Sequence, residues 1–244
     1  MSTLLLRLAA PLQSWGLESK FDTRQTGREP TKSGIIGLLA CALGIARDDQ
    51  AALAELNTLS VAIREDQEGQ LLRDYHTVKS YKSPMDLIAC ADPDDAYQTY
   101  RYYLADAVFV AAVSSENEEL LQRLEQAMKA PAFPLYLGRR SCPPTLPVVL
   151  GLKKLPLLEA VQSEPWQAAQ WYRKKQQRQS GTETVRLRIV LDHAGPGGVA
   201  MRDVPHSFDP HWRRYGFRNV TETYAVVRNA PMEHDAMAEV EACT

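Results

Sequence analysis

Apolar and polar positions along this chain switch between two periods, and the switches mark out a series of short elements. Leu4, Leu6 and Leu8 alternate with Leu5 and Arg7, the two-residue period of a strand. Ile35, Leu38, Leu39, Ala42 and Ala46 then follow the i, i+3, i+4, i+7 rule and predict a helix over 33–46. A short helical stretch over 51–56 leads into a strand at 59–65, where Leu59, Val61 and Ile63 alternate with Ser60, Ala62 and Arg64. Residues 104–113 (LADAVFVAAV) read as a mostly buried strand. A helix over 116–129 follows, with Leu120, Leu121, Leu124 and Met128 inward, acidic residues at its start and Lys129 at its end, as the helix dipole favours. A strand at 146–150 completes the order β-α-β-β-α-β, the split arrangement of ferredoxin-like folds and of RNA-recognition domains. The expected class is α+β.

Two stretches exceed a minimal domain of that type. Residues 73–103 form a long excursion between the second and third strands that carries Tyr75, His76, Lys79, Tyr81, Lys82, Tyr97, Tyr100, Arg101, Tyr102 and Tyr103. Tyrosines mixed with cations suit a stacking surface for RNA and equally an arm that grips a protein neighbour. In residues 133–147, prolines 134, 143, 144 and 147 stiffen a loop that displays Arg139 and Arg140. Beyond residue 150 the pattern weakens. Residues 164–181 read as a basic surface helix or a linker, solvated and without specific contacts. A strand is expected at 185–191, then a Gly-rich turn at 195–198, then a closing element over 202–218 that mixes arginines with aromatics and could join the same basic surface.

The clearest chemistry lies in the loop before the first helix. Arg24, Arg28 and Lys32 recur every four residues, while Gly27 and Pro30 keep the segment from being helical. Three cations on a loop that leads into the free N–H groups of a helix start favour a phosphate or another anion. A nucleotide-binding P-loop is excluded, because Thr26 stands where its first glycine should be and Thr31 precedes Lys32. An ordinary solvated loop remains the alternative at this point.

Composition narrows the class further. With 244 residues, 45% hydrophobic and 24% charged, the chain can bury a full core in one large or two small units. Two units are expected: 1–150, with the insertion at about 73–103, and a small β-rich unit over 151–244 with a basic linker and an acidic tail. The run Leu4, Leu5, Leu6 is interrupted by Arg7 and does not read as a signal peptide, and no apolar run reaches membrane-spanning length. Cys41, Cys90, Cys142 and Cys243 form no C-x-x-C pair, which argues against a zinc site or a secreted disulfide framework and fits a reducing cytoplasm. The formal net charge of −2 hides an asymmetry: residues 131–218 hold 14 Lys and Arg against 6 Asp and Glu, whereas residues 1–130 hold 13 against 19. A polyanion partner follows from such a local basic field, although a salt-bridged junction of the two regions would give the same tally.

Four separated motifs in this order carry a family resemblance: LRLAAPLQSWG at 6–16, the basic loop with GIIGLLACALGI, RDYHTV at 73–78 and YLGRRSCP at 136–143. The closing D-x-P-x-S-F and R-x-Y-x-x-R pattern at 203–218 adds a fifth. The chain resembles the Cas-five branch of the RAMP proteins, and within it the CasD subunits of type I-E CRISPR Cascade. That resemblance implies a modified ferredoxin-like (RRM-like) domain, an inserted thumb at 73–103 and a small C-terminal β domain. It implies a subunit that holds the 5′ handle of the CRISPR RNA, caps the filament of backbone subunits through the thumb, meets the large subunit and reaches target DNA only through the complex. The implied handle contacts are Arg24, Arg28, Lys32 and Ser33 from the first loop and Tyr136, Gly138, Arg139, Arg140 and Ser141 from the second. Gln13 and Trp15 would line the same cleft, Trp15 reading also as a packing residue. No cofactor or metal is implied.

A relative in the same branch cuts precursor RNA, so metal-independent ribonuclease activity is the competing expectation. Cleavage at a 2′-OH needs a base, an acid and a cation for the phosphorane. His76, beside Tyr75 and three residues before Lys79, offers such a set, and the same residues suit a thumb base that only touches RNA. His193, His206, His211 and His234 have no partner legible in sequence. The expectation is therefore non-catalytic RNA binding, with a pure protein-assembly module as a third possibility.

Overall fold

The long apolar runs of this sequence lie in strands buried on both faces at once. In a computed structural model that describes residues 1–16, 22–81, 83–85, 95–193, 195, 197–209 and 211–229, β1 (Ser2–Ala9) turns Leu4, Leu6 and Leu8 into one core and Leu5 into a second. β7 (Val108–Ser115) does the same, with Phe109, Ala111 and Val113 on the first side and Val110 and Ala112 on the other. β4 (Ser60–Gln67) divides Val61 and Ile63 from Ala62. Two buried faces are why residues 108–113 of β7 read as a continuous apolar stretch, while β1 and β4 carry Arg7 and Arg64 among their apolar positions.

The first core is closed by α1 (Lys32–Leu43), α2 (Gln50–Asn57) and α3 (Glu118–Lys129). Thr31, Asp49 and Asn117 cap these helices, their side-chain oxygens accepting from the N–H groups of Gly34, Ala52 and Leu120. The first helix stops at Leu43, three residues before Ala46, because Gly44 takes φ 75° and Ile45 N–H closes back on the Ala40 carbonyl at 2.9 Å. The second core is closed by α4 (Leu157–Ser163) with Trp166 and Ala168.

Seven strands form the main sheet in the order β10-β11-β9-β4-β7-β1-β8, every neighbouring pair antiparallel. Here β8 is Val149–Lys153, three residues later than its expected start, and β9 (Thr184–Asp192), β10 (Val199–Ser207) and β11 (Arg214–Arg228) extend the sheet beyond β4. A second sheet is built on a hairpin of β5 (Gln70–Ser80) and β6 (Asp95–Ala105), paired from Gln70↔Ala105 to Ser80↔Asp95. The short β2 (Leu12–Gln13) joins β6 antiparallel and β3 (Thr23–Arg24) joins it parallel. The excursion of the sequence is this hairpin, and Lys82 lies outside the described residues.

The expectation that 164–181 is solvated filler is overturned. Arg64 on β4, fully buried, forks onto Asp66 at 2.7 and 2.8 Å and donates to the carbonyls of Val161, Glu164 and Pro165 at 2.6, 2.6 and 2.9 Å. Trp166 is buried and donates Nε1–H to the Asp66 carbonyl. The following α5 (Gln170–Ser180) keeps Arg173 buried, its guanidinium 5.3 Å from the Trp166 ring. A guanidinium inside a sheet must find acceptors, and Asp66 with the carbonyls in and just after the last turn of α4 supplies them.

Candidate nucleic-acid interface

The two arginine-bearing loops of the sequence meet at the base of the β5–β6 hairpin. Ser14 N–H donates to the Leu137 carbonyl at 3.2 Å, Trp15 N–H donates to Thr26 Oγ1 at 2.8 Å, and Gly27 N–H donates to the Trp15 carbonyl at 2.6 Å. Residues 13–15 therefore hold the 23–28 loop on one side and the 136–142 loop on the other. Gly138, at φ 82°, is obligatory, because a Cβ there would lie 1.7 Å from the Ser14 carbonyl oxygen.

Gln13 and Trp15 serve this frame from within. Gln13 is fully buried and spends its amide on the carbonyls of Leu8 and Ala107 and on the Trp15 indole N–H, at 3.1, 2.7 and 3.1 Å. Trp15 is buried with its ring against Gly34, where a Cβ would come within 2.8 Å of it. Neither presents a side chain to a cleft.

Arg139 reaches across the junction. Its Nη2 donates to the Arg24 carbonyl at 2.9 Å and its guanidinium stacks 4.6 Å from the centroid of Tyr103. β3 lies beside β6 with Arg24 opposite Arg101, so three arginines share one corner. Two of their donors, Arg101 Nε and Arg139 Nη1, are buried and have no hydrogen-bond acceptor among the described residues. Each arginine as a whole is only half-buried, so an anion beside the corner meets donors that the protein leaves unused. Arg24, Arg140 and Ser141 are exposed around this corner, and Tyr136 is half-buried. Arg101 was absent from the expected contacts. Its period-two relation to Tyr103, within the tyrosine-rich stretch, was the signal that could have found it.

The start of α1 differs from expectation. Lys32 belongs to the helix and not to the loop; it is buried, and its Nζ lies 3.0 Å from Asp192 Oδ2. Its backbone N–H donates to Asp203 Oδ2 at 2.7 Å. Asp203 thus already occupies the helix N-terminus as an anion, and Arg218 bonds both Asp203, at 2.7 and 2.8 Å, and Asp192. Ser33 Oγ sits 3.1 Å from Thr31 Oγ1. Arg28 is exposed and pairs loosely with Glu68 at 3.3 Å. The closing D-x-P-x-S-F pattern is accordingly structural: beside Asp203, the Pro205 carbonyl accepts from Asn57, and Phe208 packs over Gly37 of α1. Arg218, the last residue of R-x-Y-x-x-R, is an internal partner and not part of a basic surface.

Along the hairpin, Tyr75 and Tyr100 pack at 5.7 Å between ring centroids, with the Arg73 guanidinium 5.4 Å from Tyr100. Strand alternation puts Tyr75 and Lys79 on one face and His76 on the other, so the three cannot converge on one phosphate from this hairpin. His193 directly follows β9, His206 lies on β10, His211 lies between β10 and β11, and His234 lies outside the described residues. Cys41 and Cys142 are free thiols, each pushed up by burial, while Cys90 and Cys243 lie outside the described residues. Among the described residues no group of His, Cys, Asp and Glu could hold a metal ion, and no helix is long and apolar enough to cross a membrane.

Comparison with known proteins identifies the family. The family described as CRISPR-associated protein (Cas_Cas5) matches residues 3–221. The CRISPR system Cascade subunit CasD of Escherichia coli (strain K12) is 40% identical over 161 residues, covering 62% of this chain and 70% of that protein. A solved CRISPR RNA-guided surveillance complex contains a chain of TM-score 0.75 and 29% identity, with 98% of each chain covered. A crystal structure of a Cas protein aligns at TM-score 0.68 and 34% identity over 94% of this chain and 97% of that one. The chain belongs to the CRISPR-associated protein family Cas_Cas5.

Proposed function

We propose that this chain is a non-catalytic RNA-binding subunit of a type I-E Cascade surveillance complex, in which it holds the 5′ handle of the CRISPR RNA. The observation that carries the reading is the arginine corner: Arg101 Nε and Arg139 Nη1 are buried donors without acceptors among the described residues, on segments that Ser14, Gly138 and Thr26 lock in place. A backbone phosphate supplies the missing acceptors. In this reading Arg24, Arg28, Arg101, Arg139, Arg140, Ser141 and Tyr136 meet the handle. Gln13, Trp15, Lys32, Ser33 and Gly138 shape the surface from behind. His76 and Lys79 touch RNA from opposite faces of the hairpin.

The β4-β7-β1-β8 segment of the sheet supports a modified ferredoxin-like fold with the β5–β6 hairpin as its thumb. We read that thumb as the contact to a backbone subunit whose filament this chain caps. The division at residue 150 is kept as a functional one, since β9 pairs directly with β4. Contact with the large subunit, indirect access to target DNA and a cytoplasmic setting complete the proposal.

The test replaces Arg139 and Arg140 together by Glu in the assembled complex. RNA of uniform 5′ end should no longer copurify, while stability falls by no more than about 1 kcal/mol, the worth of one hydrogen bond and the Tyr103 stacking. Normal RNA retention by the folded double variant overturns the assignment. Incubating the chain with labelled precursor repeat RNA and a chelator tests the ribonuclease alternative, and cleavage lost in His76→Ala would establish it.

A further inference from the structure

A cleft of 370 Å³ opens between α2 and the β10–β11 hairpin, lined by Gln50, Ala54, Asn57, His206 and Arg214, none of them a residue of the arginine corner. Its wall and the exposed residues next to Arg214 point to one kind of ligand. Asn57 donates Nδ2–H to the Pro205 carbonyl at 2.6 Å, which fixes its amide and leaves Oδ1 buried with no donor among the described residues. His206 packs its ring on Gly216, where a Cβ would come within 2.4 Å of Nε2, so only glycine admits the imidazole in that position. Arg214 lies 4.1 Å from the centroid of Trp212, and Trp212 is 62% exposed. Arg202 and Arg213 are also exposed, and Asp209, a carboxylate between them in sequence, is engaged by the His211 N–H at 2.8 Å.

An exposed ring beside a cleft-lining guanidinium, with two more guanidinium groups exposed on the same element, matches the base and the phosphates of a strand. A base stacks on Trp212 or on His206, and the phosphates meet Arg214 and its neighbours. The four arginines of this closing element thereby divide: Arg218 is consumed inside the protein by Asp192 and Asp203, whereas Arg202, Arg213 and Arg214 remain at the surface. We propose that the α2/β10–β11 cleft is a second single-strand nucleic-acid site, separate from the arginine corner, that takes one nucleotide. The chemistry is shared by an RNA strand and a displaced DNA strand.

The test uses the full chain carrying Arg139→Glu and Arg140→Glu, so that the first site is disabled. Labelled oligoadenylate 12-mers of RNA and of DNA are titrated by fluorescence anisotropy at several salt concentrations. Residual binding is expected, and adding Trp212→Ala with Arg214→Glu should weaken it about ten- to hundredfold, the range for losing one stacked base. The salt slope should fall by about 0.7 for each phosphate contact removed. Gly216→Ala, which displaces His206, should weaken binding in the same direction while thermal melting shows a folded chain. RNA-selective, DNA-selective or equal binding each supports the site and identifies its source strand. No residual binding in the first double variant, or unchanged affinity and slope on adding the second pair, overturns it. If the double Glu variant at residues 139 and 140 instead keeps wild-type handle retention, the failure belongs to the first site and not to this one.

Discussion

Two clusters of basic residues flank the same first helix, and they have opposite fates. At the start of α1, Lys32 and Arg218 are buried against Asp192 and Asp203, each charge answered within the protein. At the base of the hairpin, Arg101 and Arg139 are held in place yet keep buried donors with no acceptor among the described residues. Both regions are cationic in sequence. The paired cluster fastens the C-terminal strands to the N-terminal helix, and the unpaired cluster is the one to which the proposed handle contact is assigned. Charge alone therefore does not mark a binding surface; unanswered charge does.

The sharpest break in this comparison is Asp203→Ala. It leaves Arg218 and the first N–H of α1 facing an emptied site, and removing one partner of a buried pair costs about 3–5 kcal/mol. Urea unfolding measures it, and RNA affinity of the folded protein should stay within about twofold. A large affinity loss would show that the two clusters act as one unit. Gly138→Ala comes next. The 1.7 Å approach to Ser14 forces the 136–142 loop off its seat, at about 2–3 kcal/mol, and here RNA binding should fall together with stability. Stable protein with normal binding would mean that the loop has another seat.

Arg101→Gln acts on the unpaired cluster alone. Stability should change by less than about 0.5 kcal/mol, while RNA affinity falls about tenfold and the salt slope drops by about 0.7, as for one phosphate contact. An unchanged slope would remove Arg101 from the interface. The smallest effect concerns Glu222, whose carboxyl the Arg188 hydrogen bond holds below its ordinary value of 4.5. A depressed carboxyl binds fewer protons folded than unfolded, so its contribution is present above about pH 4.5 and is lost as pH falls through the folded value. Glu222→Gln should flatten the acid limb of the stability profile slightly and leave pH 7 RNA binding unchanged; an identical acid limb would show that the pair contributes nothing.

Much of the frame was legible because local signals agreed with each other. The 33–46 and 116–129 helices and the strands at 4–8, 59–65 and 185–191 were readable from periodicity and end within a few residues of their observed positions. The exceptions have local causes: Gly44 stops α1 early, and the stretch at 146–150 has little alternation to fix where β8 begins. Residues 164–181 read as filler because their anchor, Arg64, sits about a hundred positions away, and nothing near Trp166 announces that a buried guanidinium needs its neighbours' carbonyls.

The amino-acid sequence by itself determined most of the elements, that one basic loop precedes the first helix and another arginine-bearing loop follows the 116–129 helix, and that the motifs point to one family. Period, capping residues and glycine positions act over a few residues, so they can be read in one dimension. Only the tertiary structure decided which cations are answered. Lys32, 160 residues from Asp192, and Arg139, 115 residues from the Arg24 carbonyl, acquire their partners by sheet pairing and loop docking. Charge neutralisation falls off over a few ångströms in space, and no spacing along the chain reports that distance.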